Sequence, residues 1–71
     1  MSLSKNTILI NGEAYKYTSS LTVLSLLQYF GFKIELLVID YNGIILQKEF
    51  WSKTIIQDND SIELLTIAGG G

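Results

Sequence analysis

The residues with the most chemistry to offer are the last four, Ala68-Gly69-Gly70-Gly71, where three glycines end in a carboxylate. Glycine has no Cβ, so such a tail is slender, flexible and unable to add to a core. A terminal acyl group on it can be held out from the domain and offered to another protein. The rest of the sequence offers less. Asp58 and Asp60 flank Asn59 and read as turn residues, since two carboxylates in a turn make a poor cation site. Glu49 and Glu63 read as solvated charges, and Phe50 and Trp51 as core or rim packing rather than a ligand platform. No pair of groups suggests general acid–base catalysis.

The body must therefore position the tail, and its composition says how. Seventy-one residues make one small domain, and a chain near this size buries only about 60% of its unfolded surface. Domains this small need a staple or a dense core. Cysteine and histidine are both missing, which rules out disulfides and leaves only carboxylates for a zinc site. Packing remains, and 48% apolar residues, rich in Ile and Leu, supply it. Lys5, Lys16, Lys33, Lys48 and Lys53 are scattered against seven carboxylates, without the basic face that nucleic acid requires. No apolar run approaches the length of about 20 residues that spans a bilayer, and Met1 to Lys5 lacks a secretory h-region. The expectation is a soluble cytoplasmic protein, or a stromal one if plastid-encoded, with neither nucleic acid nor membrane as partner.

The pattern along the chain predicts the elements. Thr7 to Ile10 is β-branched and apolar, and Asn11-Gly12 is the preferred pair for a two-residue type I′ turn. Glu13 to Tyr17 returns as the second strand, with Ile10 facing Glu13, Ile8 facing Tyr15, and Ile8, Ile10 and Tyr15 on the inner face. Val23, Leu26, Leu27 and Phe30 then share one face of a helix, with Leu24 at the edge of that stripe. Thr22 is the expected N-cap, with Ser20 as rival, and Ser25 is too short to complete a good capping box. Gly31 suits the left-handed stop, with Phe32 folding back on Leu27. Glu35 to Tyr41 reads as a strand with both faces partly covered, and Asn42-Gly43 turns it into Ile44-Ile45-Leu46. After the mixed stretch Gln47 to Lys53 and the run Thr54-Ile55-Ile56, Asp58-Asn59-Asp60 turns into a last strand, Ser61 to Ile67. That strand puts Ile62 and Leu64 on one face and Leu65 and Ile67 on the other. Leu65 and Ile67 mark either a partner surface or a second packed face beneath the irregular stretch. One helix across four or five strands is a two-layer α+β domain, and a right-handed crossover is favoured if the last strand runs parallel to the first.

Ile10-Asn11-Gly12, the helix start Leu21 to Leu27, and Val38-Ile39-Asp40-Tyr41-Asn42-Gly43-Ile44-Ile45 are the first pieces of a resemblance to a known family. Phe50-Trp51, the Asp58-Asn59-Asp60 turn and the strand ending in Gly70-Gly71 complete it in the same order. Over nearly its whole length the chain resembles the ThiS family of the ubiquitin-like β-grasp fold, the sulfur carriers of thiamin thiazole biosynthesis. Asn59 stands where the family often has Gly, and Ser25 where it often has Glu.

The resemblance implies a β-grasp domain over residues 1–67, with a four- to five-stranded mixed sheet and one helix packed across it. A flexible glycine tail, residues 68–71, follows. It implies that the chain is no enzyme and binds no cofactor of its own. An E1-like, ThiF-type partner would use ATP and magnesium to adenylate the Gly71 carboxylate, and persulfide-derived sulfur would replace AMP to give a thiocarboxylate. A ThiG-type thiazole synthase would then accept the sulfur. Gly71 has no side chain to hinder attack, while Ala68, Gly69 and Gly70 would thread a narrow channel over a reach of at most about 13–14 Å. Two other readings stand beside this one: a molybdopterin synthase small subunit or ubiquitin-like modifier, and a β-grasp binding module with an inert tail.

Overall fold

Two Asn-Gly turns shape the sheet. In the computed structural model, which describes residues 5–66, Asn11 and Gly12 take φ of 50° and 84°, and Asn42 and Gly43 take 53° and 88°. These are the paired left-handed conformations that a type I′ turn demands. The first turn folds β1 (Asn6–Ile10) onto β2 (Glu13–Tyr17), with Ile10 opposite Glu13 and Ile8 opposite Tyr15 as expected. The second folds β3 (Leu37–Tyr41) onto β4 (Ile44–Leu46), with Tyr41 opposite Ile44. The last strand, β5 (Asp60–Thr66), inserts between the hairpins, parallel to β1 and antiparallel to β3. The result is a mixed five-stranded sheet in the order β2-β1-β5-β3-β4.

Helix α1 (Val23–Phe30) begins and ends where its caps dictate. Thr22 is extended, and its Oγ1 accepts from the Ser25 N–H at 3.1 Å. Ser25 does complete the capping box, contrary to expectation: its Oγ accepts from the Thr22 N–H at 2.9 Å and donates to the Thr22 carbonyl at 2.9 Å. A short side chain suffices here because one hydroxyl serves both main-chain groups of the cap. Ser20 takes no part in this cap. The next two amides are satisfied from outside the helix, Val23 N–H by the Thr54 carbonyl and Leu24 N–H by the Trp51 carbonyl. Gly31, at φ 75°, ends the helix, and the Phe32 N–H reaches the Leu27 carbonyl at 3.2 Å. The Phe32 ring lies against Phe30, with centroids 5.9 Å apart.

Val23, Leu26 and Leu27 of the helix meet Ile8, Ile10, Leu37, Ile39 and Ile62 of the sheet, with Trp51 and Ile56 closing the side. Each such aliphatic side chain, fully buried, contributes about 1.5–3 kcal/mol. Leu24 packs partly buried at the edge of this cluster, as its position on the stripe predicts. The Trp51 indole N–H donates to the Leu46 carbonyl at 2.9 Å, so its one polar atom is satisfied in the core.

Some expectations give way to context. Tyr15 lies on the helix side of the sheet, edge-on to Phe30 at 5.5 Å, but β2 is an edge strand and the ring stays exposed. Glu35 and Leu36 belong to a 3-10 turn, Ile34–Leu36, so β3 starts only at Leu37, where pairing with Thr66 begins. Gln47 leads into a second 3-10 turn, Lys48–Phe50, which exposes Phe50 and buries Trp51. Ile55 makes only an isolated bridge to Thr22, and Ile56 N–H bonds the Leu21 carbonyl. That segment seals the start of the helix rather than extending the sheet. Among the described residues no helix is long and apolar enough to cross a membrane.

Candidate functional site

β5 is the element that carries the tail, and its two neighbours determine how it is held. At its start the Asp58-Asn59-Asp60 turn is tied to β1: the Thr7 N–H donates to Asp58 Oδ1 at 2.7 Å, and the Asn59 N–H to the Thr7 carbonyl at 2.7 Å. Asn59 occupies the left-handed region at φ 70°, as its place in the turn predicts. Asp60 is buried and accepts three bonds, from the Tyr41 hydroxyl, from the Gln57 N–H at 2.7 Å and from Asn42 Nδ2 at 3.1 Å. Burial raises the Tyr41 hydroxyl above the ordinary tyrosine value, and the hydrogen bond to Asp60 and its charge raise it further. With its oxygens engaged by protein donors, Asp60 is an organising carboxylate rather than a ligand. Among the described residues no cluster of three or more His, Cys, Asp or Glu could hold a metal ion.

Further along, Ile62 is fully buried and Leu64 packs partly buried against the same core. Ser61, Glu63 and Leu65 alternate onto the opposite face. There Leu65 stands opposite Val38 and is 51% exposed, so the irregular stretch does not cover it. Ile45, on the same face of β4, is also 51% exposed. Pairing with β1 reaches Ile62, whereas pairing with β3 continues to Thr66. Ile67, Ala68, Gly69, Gly70 and Gly71, all singled out in the sequence, lie outside the described residues.

Residue-by-residue reading passed over Asn11, Asn42, Tyr41 and Asp60 as contributors to this strand. Asn at the first position of both turns was a signal, but φ alone accounts for it; nothing local pairs Tyr41 with Asp60, nineteen positions away. An apolar groove of about 550 Å³ between β2 and α1, walled by Tyr15, Tyr29 and Phe30, is separated from β5 by β1.

Comparison with known proteins places this geometry. The model of the ThiS family matches residues 8–71, a span that includes the terminal glycines. The chain is 46% identical over 65 residues to the uncharacterized protein ycf40 of Trieres chinensis, covering 92% of this chain and 89% of that one. It is 30% identical over 64 residues to a thiazole synthase of Paramagnetospirillum magneticum, covering 90% of this chain but 20% of that protein, so the likeness is to one segment of it. The crystal structure of the thiamine biosynthesis protein ThiS from Geobacter metallireducens superimposes with a TM-score of 0.80 at 29% identity, covering 92% of this chain and 99% of that one.

Proposed function

The chain belongs to the ThiS family, and from that premise we propose that it is a sulfur carrier for thiamin thiazole formation. The observation that carries the reading is the family match over residues 8–71, because it takes in both the β-grasp body and the glycine terminus. In this reading a carboxylate oxygen of Gly71 attacks the α-phosphorus of ATP in an E1-like enzyme, and pyrophosphate leaves. The outer sulfur of a donor persulfide then attacks the acyl carbon and displaces AMP. A second thiol on the donor side cleaves the resulting acyl disulfide, leaving a thiocarboxylate on Gly71 and a disulfide on the donor. The chain acts as co-substrate, and ATP and magnesium belong to the adenylating partner. Gly69 and Gly70 present no β-carbon to a narrow channel, and Leu65, with Ile67 on the same predicted face, supplies apolar surface beside the tail for the partner to cover. The segment of a thiazole synthase that resembles this chain supports a ThiG-type enzyme as recipient of the sulfur.

Mass spectrometry of the chain incubated with its cognate adenylating enzyme, ATP and a sulfur donor should show one oxygen replaced by one sulfur. Deleting Gly70 and Gly71 should abolish that change and leave the circular dichroism spectrum intact. An unchanged mass with an active partner enzyme would overturn the proposal. Copurification separates the thiazole pathway from molybdopterin synthesis, since the two large partners are unrelated proteins. An inert tail would leave partner binding and cellular function intact after the deletion.

A further inference from the structure

Both strands that flank β5 end in an Asn-Gly turn, and both asparagines do something that the turn itself does not require. The Asn11 N–H donates to the Ile62 carbonyl at 2.9 Å, one step beyond the last paired residue of β1. In a regular parallel ladder the carbonyl of that same residue accepts from the amide two places further along, here Leu64. Asn11 has already turned into the left-handed region, and the Leu64 N–H donates instead to Asn11 Oδ1 at 2.8 Å. Asn42 repeats the device on the other flank. Its N–H donates to the Ser61 carbonyl at 2.8 Å, and the Ser61 N–H donates to Asn42 Oδ1 at 2.8 Å. In each case the side-chain amide replaces a main-chain carbonyl that the turn has carried away.

The two substitutions sit at opposite ends of β5. The one at Asn42 is backed by Asp60, which accepts from Asn42 Nδ2. The one at Asn11 lies past the end of the β1–β5 pairing, where β5 keeps only β3 as a strand neighbour. Seven residues separate Leu64 from the terminal carbon of Gly71, a span of about 23–25 Å when extended. We propose that Asn11 is a positioning residue for the chemistry at Gly71: its Oδ1 on the Leu64 amide extends the hold on the β1 side of β5 two residues past the last β1 pair, so that the strand leading to the tail is restrained from both sides that far. This rests on the sulfur-carrier reading. Without the clamp, the anchor on the β1 side retreats two residues to Ile62, so a further length of about 7 Å of strand is held by β3 alone. A partner that seats the domain and grips the terminus together then meets a smaller population of competent tails, which lowers apparent affinity without touching the chemical step.

The test uses the full chain. Asn11→Gly keeps the turn, since Gly-Gly also closes type I′ hairpins, and removes the acceptor; Asn11→Asp keeps both turn and acceptor. Amide exchange at Leu64 should become about three- to tenfold faster in Asn11→Gly, the scale of one net hydrogen bond. Exchange at Ile39 and Ile62 should stay as in the parent, and Asn11→Asp should restore Leu64. With the cognate adenylating enzyme, followed by pyrophosphate release, the KM for the carrier should rise by a similar factor while kcat holds, again rescued by Asp. Asn42→Gly should loosen Ser61 and leave KM in place. The inference is overturned if Leu64 exchange is unaltered, if Ile39 and Ile62 accelerate equally, if KM stays constant despite local loosening, or if Asn42→Gly raises KM as much. A parent chain that is never adenylated would instead overturn the sulfur-carrier reading, and the positioning role with it.

Discussion

At the start of β5, Asp60 is buried and gathers three donors, Asn42 bonds Ser61, and the Asp58 turn is tied to Thr7, so main chain and side chains hold the strand from both sides. At its other end, Leu64 to Thr66 keep β3 on one side and a single asparagine oxygen on the other. Restraint therefore falls along one strand in seven residues, from a fixed root to a lightly held tip. A carrier needs this asymmetry: the root spends its bonds on defining the domain, and the tip leaves the chain able to enter a partner. If that is right, substitutions near the root should cost stability, and substitutions near the tip should cost function.

The largest effect is expected where the strand crosses the core. Ile62 is fully buried between the helix and the sheet, and Ile62→Ala removes its packing and leaves a cavity worth about 2–5 kcal/mol. A domain this small has little more than that in reserve, so urea unfolding should show a largely unfolded variant at ambient temperature. Asp60→Ala comes next. It strands the Tyr41 hydroxyl, Asn42 Nδ2 and the Gln57 N–H without their acceptor. The Tyr41 hydroxyl, the most sheltered of the three, costs about 1–3 kcal/mol if left unsatisfied, and the two on exposed residues cost less because water can reach them. A loss under about 1 kcal/mol would show that the root is held by main-chain pairing alone.

The same network gives an alkaline signature. Tyr41 has its hydroxyl raised, first by burial and then by Asp60, so the folded state holds that proton more tightly than the unfolded chain. The stabilisation is complete below the ordinary tyrosine value of 10.0 and is lost as pH climbs from there toward the raised value. Urea midpoints should be level near about pH 8 and fall by about pH 11. Tyr41→Phe should flatten that decline without abolishing it, since burial also raises Tyr17. A decline unchanged in Tyr41→Phe would separate Tyr41 from the root.

The same division explains what could be read from the residues in order. Asn11-Gly12, Asn42-Gly43, Thr22, Gly31 and the first three members of the stripe, Val23, Leu26 and Leu27, act through their own φ values or through neighbours within a turn and landed where their chemistry pointed, whereas Phe30, the fourth member of the stripe, stays exposed at the end of the helix. The Ser25 cap was misjudged within a single turn, but most of the other positions that the residues in order left unread depend on context further along the chain. Tyr15 is exposed because β2 has no outer neighbour, and the role of Thr54 to Ile56, which seal the helix start, is set by their bonds to Leu21 and Val23. Trp51 is buried and Phe50 exposed because a 3-10 turn points them in opposite directions, which an adjacent aromatic pair does not reveal. The importance of Asp60 rests on Tyr41 and Asn42, brought in by the sheet register.

The smallest expected change in stability is also the sharpest test of the tip. Leu64 and Leu65 are adjacent, yet Leu64 packs against the core and Leu65 is half exposed opposite Val38. Threonine keeps β propensity at either position, so the two substitutions differ mainly in the surface they change. Leu64→Thr should cost about 1–2 kcal/mol of lost burial, whereas Leu65→Thr should stay within about 0.5 kcal/mol of the parent. In adenylation assays the order should reverse: Leu65→Thr should raise the KM for the carrier several-fold through the lost apolar contact, and Leu64→Thr should change it less wherever the variant remains folded. Equal KM values for Leu65→Thr and the parent would mean that the partner grips the tail without covering the face beside it, and the asymmetry of β5 would then serve release of the chain rather than docking.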